Sequence, residues 1–293
     1  YFTQITMLFP EEATWLELAK SKDVDVVPVA TSSLNQTVDG YQFVEKSAGR
    51  AQGVSLPYLE DTGVVYNGSM KVGNNVTADK SIREALNVGI NRTEIVNSVF
   101  SGHAKPEFTG VDTRDYANNQ SKVADGNVEQ AKQILAQGGW TDTDGDGIVE
   151  KNGTKASFDL YYPPDYLDRQ SLSTVFAEQA KQLGIEVKLV GADWDTIYAN
   201  MYSSAALMQQ TSPDPYKSIY YGAQYIYASF SKYQYTGYLQ KFNVNKESGS
   251  LYSHEYMANI RAAASESKHT YEAYLDAGIL NSAKTFVIPV FNN

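Results

Sequence analysis

Over residues 79–201 the chain switches repeatedly between apolar residues at three- and four-residue steps and short apolar, β-prone runs, and this alternation constrains its fold most. Ile82, Ala85, Leu86 and Gly89 recur at helical spacing behind Asp79, whose carboxylate suits the free amides of a helix start. Thr93 is placed to cap a second short helix carrying Ile95, Val96 and Val99. A third helix is predicted over about 127–137, with Ala131, Ile134 and Leu135 inward and Gly138-Gly139 as its stop. After an acidic turn come a strand over 156–162, a helix over about 172–183, a strand over 185–190 and a helix over about 193–201. Helices interleaved with strands predict α/β layering.

The stretch before residue 79 is less regular. Residues 3–9 read as a strand and 10–20 as a helix opened by Pro10, Glu11 and Glu12. Residues 23–30, with Val24, Val26, Val27 and Val29, read as a buried strand, which would complete a strand–helix–strand unit. Over 31–78 helical periodicity disappears, and Gly, Asn, Ser and Asp punctuate short runs such as 54–58, so crossing segments and loops are expected.

Composition bounds the function. A chain of 293 residues, 42% hydrophobic and 20% charged, can bury the core of one large or two ordinary domains. With 24 Lys and Arg against 34 Asp and Glu, a net charge of -10 and no basic block, phosphate backbones and anionic lipid are poor partners, and no nucleic acid is expected. The absence of cysteine removes disulfides, thiol nucleophiles and Cys-based zinc or iron–sulfur sites. No stretch approaches the roughly 18 apolar residues that span a bilayer, and Tyr1-Phe2-Thr3-Gln4 is not a signal peptide, so the true amino terminus is expected to be missing. The 22 Tyr, 11 Phe and 3 Trp suit a cleft that holds peptides or sugars, since such rings pair apolar faces with a polar tip; a Tyr-rich core and surface explains the count equally well.

Four segments occur together in order: 14–25, 82–92, Gly139-Trp140 with 142–153, and 177–187. In order and approximate spacing they resemble extracytoplasmic solute-binding proteins of the peptide/nickel ABC-importer family, over residues 1 to about 220. The resemblance implies an α/β, periplasmic-binding-protein-like lobe of the peptide/nickel class, with a mixed sheet and flanking helices, in a partial chain. Residues 1–75 would close the first lobe and cross over, 76–222 would form the second, ligand-binding lobe, and 223–293 a divergent tail. A ligand clamped between two lobes would be handed, unaltered, to an ABC permease in the membrane. Known members take up oligopeptides, dipeptides, nickel or small metal chelates. The resemblance further implies a non-enzymatic monomer in the periplasm or at the cell surface, lipid-anchored in the full-length protein.

For the ligand cleft it points to Arg50, to Tyr161 and Tyr162 at a strand end, and to the stretch 208–215 with Gln210, Thr211, Ser212 and Asp214. Peptide binders of the family hold the ligand's amino group with an Asp some three residues before an Asp/Glu-Pro pair. Counting back from Asp214-Pro215 places Thr211 there, which weakens the case for free peptides and leaves room for other ligands. Asp214 serves equally well as a turn-forming Asp-Pro.

The end of the chain departs from this pattern. Segments 238–244, 254–260 and 286–293 resemble the end of bacterial cell-wall glucosaminidase domains, with a seam expected between residues 211 and 237. In those enzymes a catalytic Glu lies upstream in a Glu-Thr-Gly type segment, and the residues before Tyr225 contain no such triplet. A peptidoglycan glucosaminidase or glycan-binding module is therefore the alternative function, and a tail that merely replaces the binding protein's terminal strand and helix is a third reading.

Asp142, Asp144 and Asp146 with Gly147 form the Asp-x-Asp-x-Asp-Gly opening of a calcium loop, and Glu150 falls at its ninth position. The twelfth position, where an EF-hand carries a bidentate Glu, is Gly153, and a strand is expected to follow instead of a helix. Calcium and a cation-free acidic turn both remain open. His103, His254 and His269 lie far apart without metal-site spacing and read as structural. By the resemblance, His103 lies near the lobe opening, where one imidazole would complete the shell of a chelated metal. No nucleophile elbow, phosphate loop or His-Glu-x-x-His pair is present.

Overall fold

A computed structural model describes residues 3–45, 51–57, 60–63, 65–66, 70–108, 123–209 and 287–292. Helix α1 spans Trp15–Ser21, after a 3-10 turn at Glu12–Thr14, and strand β1 spans Ala51–Ser55. A small antiparallel pair follows, β2 (Val65–Tyr66) with β3 (Met70–Lys71). Then come α2 (Lys80–Gly89), α3 (Arg92–Phe100) and α4 (Val128–Gln137). A hairpin of β4 (Glu150–Lys151) and β5 (Thr154–Lys155) leads to β6 (Ser157–Tyr162), α5 (Leu167–Gln182), β7 (Glu186–Gly191), α6 (Trp194–Asn200) and β8 (Ala205–Gln209). Strand β9 is Val287–Asn292.

The main sheet has the order β7-β6-β8-β1-β9. Strands β7 and β8 run parallel to β6, whereas β1 is antiparallel to both β8 and β9, so the sheet is mixed as the resemblance implies. Its strands come from all three stretches of the chain. Phe158 and Leu160 of β6 alternate with Asp159 and Tyr161, and together with Val54, Ala205 and Leu207 they meet Leu172, Phe176 and Ala180 of α5. Ile82, Ala85 and Leu86 of α2, Ile95, Val96 and Val99 of α3, and Ala131 and Leu135 of α4 complete this core, as their spacing predicts.

Two of the three cap and stop signals hold, Asp79 and the glycines after α4. Asp79 accepts a hydrogen bond from the Ser81 amide at 2.9 Å, and Gly139 at φ +84 follows the end of α4. Helix α3 is capped by Asn91, which accepts from the Glu94 amide at 2.8 Å, and not by Thr93. Asp125, distant in sequence, takes up the amides of Arg92 and Thr93 as well as the Thr93 hydroxyl, which frees Thr93 from the cap position.

Other expectations fail. Residues 3–9 and 23–30 form no strand, so the strand–helix–strand unit is absent; Phe9 and Val26 are each 88% exposed. Apolar runs satisfy only half of what a strand needs, because backbone amides must also find a ladder, and no partner strand reaches these stretches among the described residues. Conversely β1 and β8, read from sequence as loop or cleft, are sheet strands. Helix α5 begins at Leu167, earlier than its apolar spacing suggests. Tail segments 238–244 and 254–260 lie outside the described residues; of 286–293, strand β9 joins the sheet beside β1.

Asp79 ties these layers together: its carboxylate also pairs with Lys151 Nζ of the hairpin at 2.6 Å. Burial pushes its pKa up, but hydrogen bonds from Lys151 and Ser81 outweigh this and hold it below the usual range. A depressed folded pKa contributes stability that is present above the unfolded value, about 3.9, and lost as pH falls through the folded value. Asp79→Ala is expected to cost about 1–2 kcal/mol at neutral pH. Asp79→Asn keeps a capping oxygen, so its urea midpoint should fall less and lose less than the wild type's between pH 5 and 3.

Candidate functional site

Because β6, β7 and β8 run parallel, their carboxyl ends share one edge of the sheet, the place where open α/β sheets hold ligands. Tyr161 and Tyr162 are the last residues of β6 and point to opposite faces. Tyr162 packs on the core, while Tyr161 stands on the other face between its strand partners Val190 and Ala206.

The loop after β6 leads into α5 and the loop after β7 into α6, which places Arg169 beside two aromatic rings. Its guanidinium carbon stands 5.0 Å from the centroids of both Tyr166 and Trp194. Trp194 in turn stacks on Tyr198 at 5.7 Å and 28°. Arg169 Nη1 is buried and makes no hydrogen bond. Burial pushes the pKa of this guanidinium down, against the charge of neighbouring Asp168. Asp168 lies 3.5 Å from Gln52 Nε2 of β1, and Glu12 is pushed up by burial and then by the Asp168 charge. The result is one cation with an unused donor, walled by aromatics and neighboured by the Asp168 carboxylate. Such a group can take a carboxylate or another planar anion in two parallel hydrogen bonds.

No sequence motif marks Arg169, Tyr166, Trp194 or Gln52. One signal was available: Tyr166 and Arg169 are three residues apart at a helix start after Pro163-Pro164, which sets ring and guanidinium on one helix face. Arg50, Gln210, Thr211, Ser212 and Asp214 lie outside the described residues, as do His254 and His269. His103 Nδ1 meets Glu45 Oε2 at 3.1 Å, and its ring lies edge-on to Phe43 at 5.2 Å.

The acidic loop brings its four predicted ligands together: one carboxylate oxygen each from Asp142, Asp144, Asp146 and Glu150 lies within 4.8 Å of the others. The three aspartates fold the loop by accepting from amides of Gly145, Asp146, Gly147 and Ile148. Lys155 Nζ reaches Asp144 Oδ2 at 2.9 Å and also bonds Asp146, and these bonds raise the pKa of the ammonium.

Residues 1–232 match the profile of the bacterial extracellular solute-binding proteins, family 5 Middle. The oligopeptide-binding protein AppA of Bacillus subtilis is 35% identical over 133 residues, 44% of this chain and 24% of that protein. The nickel-binding periplasmic protein of Escherichia coli is 27% identical over 124 residues, 42% of this chain and 24% of that protein. The crystal structure of NikA from Brucella suis in complex with Fe(III)-EDTA superposes with a TM-score of 0.72 at 17% identity, over 97% of this chain and 54% of that one. The chain thus spans about half the length of that structural relative.

Proposed function

The chain belongs to the bacterial extracellular solute-binding proteins of family 5, and from that premise we propose that it captures a peptide, nickel or a small metal chelate and delivers it to a membrane permease. It binds its ligand without transforming it, outside the cytoplasm, as a monomer held by a lipid anchor in the full-length protein. The observation that carries the binding reading is Arg169: a guanidinium between two aromatic rings, with a buried Nη1 lacking a partner, at the carboxyl ends of parallel strands. A peptide's terminal carboxylate and the carboxylate of a metal chelator are both suitable partners. Tyr161, on the sheet face away from the core, extends the same edge.

Titration with short peptides, nickel and nickel–histidine at up to millimolar concentration, followed by thermal unfolding, tests this. A ligand at about a hundred times its Kd adds about 2.7 kcal/mol to stability and raises Tm. Arg169→Gln should weaken the effective ligand about tenfold, as expected for one charge-assisted contact. A Tm unmoved by every one of these ligands would remove the proposal.

A further inference from the structure

The acidic loop lies apart from this ligand site, on the hairpin side of α4, and one of its oxygens lacks a partner. Glu150 is 9% exposed. Its Oε2 accepts from the amide and hydroxyl of Thr143, both at 2.8 Å. Its Oε1 is buried and accepts no hydrogen bond. The nearest cation, Lys155 Nζ, stands 3.8 Å away, beyond hydrogen-bond reach. One carboxylate oxygen of Glu150 lies within 4.8 Å of one oxygen each from Asp142, Asp144 and Asp146, and Oε1 faces the same lysine that bonds Asp144 and Asp146. Three of the four carboxylates, Asp144, Asp146 and Glu150, thus share the half-exposed Lys155 ammonium, and among the described residues no cation pairs with Asp142.

We propose that this loop binds calcium through Asp142, Asp144, Asp146 and Glu150 Oε1, and that the Lys155 ammonium is the occupant the ion displaces. Calcium fits better than magnesium, since it accepts flexible geometry and a mixture of carboxylates, backbone carbonyls and water, whereas magnesium demands near-ideal octahedral ligands and dehydrates reluctantly. The loop closes into the β4–β5 hairpin, where an EF-hand would start its second helix, and Gly153 supplies no bidentate carboxylate at the twelfth position. Affinity therefore falls in the weak range of extracellular calcium modules, a Kd of about 10⁻⁴–10⁻³ M. The ion would fix the hairpin that carries Lys151, and Lys151 holds the Asp79 cap and lies 5.9 Å from the centroid of the Trp140 ring.

The test is calorimetric titration of the whole chain with calcium and with magnesium, alongside terbium luminescence sensitised by Trp140. Calcium is expected to bind in the stated range and more tightly than magnesium. Asp144→Asn with Glu150→Gln should weaken binding at least about tenfold. Lys155→Met should tighten it about tenfold by removing the competing charge, a gain that misfolding cannot produce. Lys181→Met, an equal charge change on α5, should leave it unmoved. Absence of binding at about ten times the upper Kd, or equal tightening by the two lysine variants, would overturn the site, the latter because it signals diffuse attraction to an acidic surface.

Discussion

Arg92→Ala is expected to destabilise the fold by about 3–5 kcal/mol, the loss typical of breaking a buried charged network by removing one partner. Arg92 is fully buried. Its guanidinium donates to the backbone oxygens of Asn87 at 3.0 Å and Ile90 at 3.2 Å and to Asn87 Oδ1 at 2.8 Å, thereby binding the carbonyls at the end of α2. It lies 3.8 Å from Asp125 Oδ1 and 4.9 Å from the centroid of the Phe108 ring. One side chain thus joins the end of α2, the start of α3 and the segment before α4. Removal deprives the Asn87 side chain and carbonyl of the Arg92 donor, while the Ile90 carbonyl keeps the Gly126 amide at 3.1 Å, and it opens a cavity at the helix junction. Arg92→Lys should recover only part of the loss, because an ammonium cannot reproduce the planar fork. Urea unfolding followed by circular dichroism reads both variants; a midpoint for Arg92→Ala within error of wild type would show that the network contributes nothing.

That junction explains what the sequence made legible. Segment 82–92 carries the resemblance most regularly, and it is also where local signals agree with the long-range fold: helical spacing and the Asp79 cap point the same way, although α3 is capped by Asn91 and not by Thr93. The helices and parallel strands after residue 127 were legible for the same reason. The edges were not. Strand β1 contains Gln52 and Gly53, poor strand formers alone, and is a strand because β8 and β9 flank it. Residues 23–30 have the opposite character, four valines with no ladder to join. The acidic loop was readable because all its ligands are local in sequence, within one turn and hairpin. The Arg169 site was not, because its parts come from β1, α5 and α6 and meet only when β6 and β7 lie side by side. A motif reports chemistry that one segment holds; a crevice at strand ends reports topology.

Gly89 shows the same dependence on long-range packing, and Gly89→Val should be among the most damaging single changes, at about 3 kcal/mol, the upper end of ordinary overpacking. Intrinsic preference argues the other way for the smaller change, since Ala in a helix interior is favoured over Gly by up to about 1 kcal/mol. Space decides the sign. A Cβ on Gly89 would lie 2.6 Å and 2.9 Å from the Leu183 methyls and 2.8 Å from Ala131 Cβ. The Leu183 tip can rotate only within a fully packed site, and Ala131 Cβ is fixed to the backbone of α4. Even Gly89→Ala must therefore push α2 from α4 and is expected to lose about 1–2 kcal/mol despite its better propensity. Valine adds two methyl groups and a restricted rotamer to that clash. Ala131→Gly in the Gly89→Ala background should restore part of the loss, a favourable coupling that only direct contact produces. If Gly89→Ala instead raises the urea midpoint, the helices have room to part, and the glycine in this segment reflects something other than close approach.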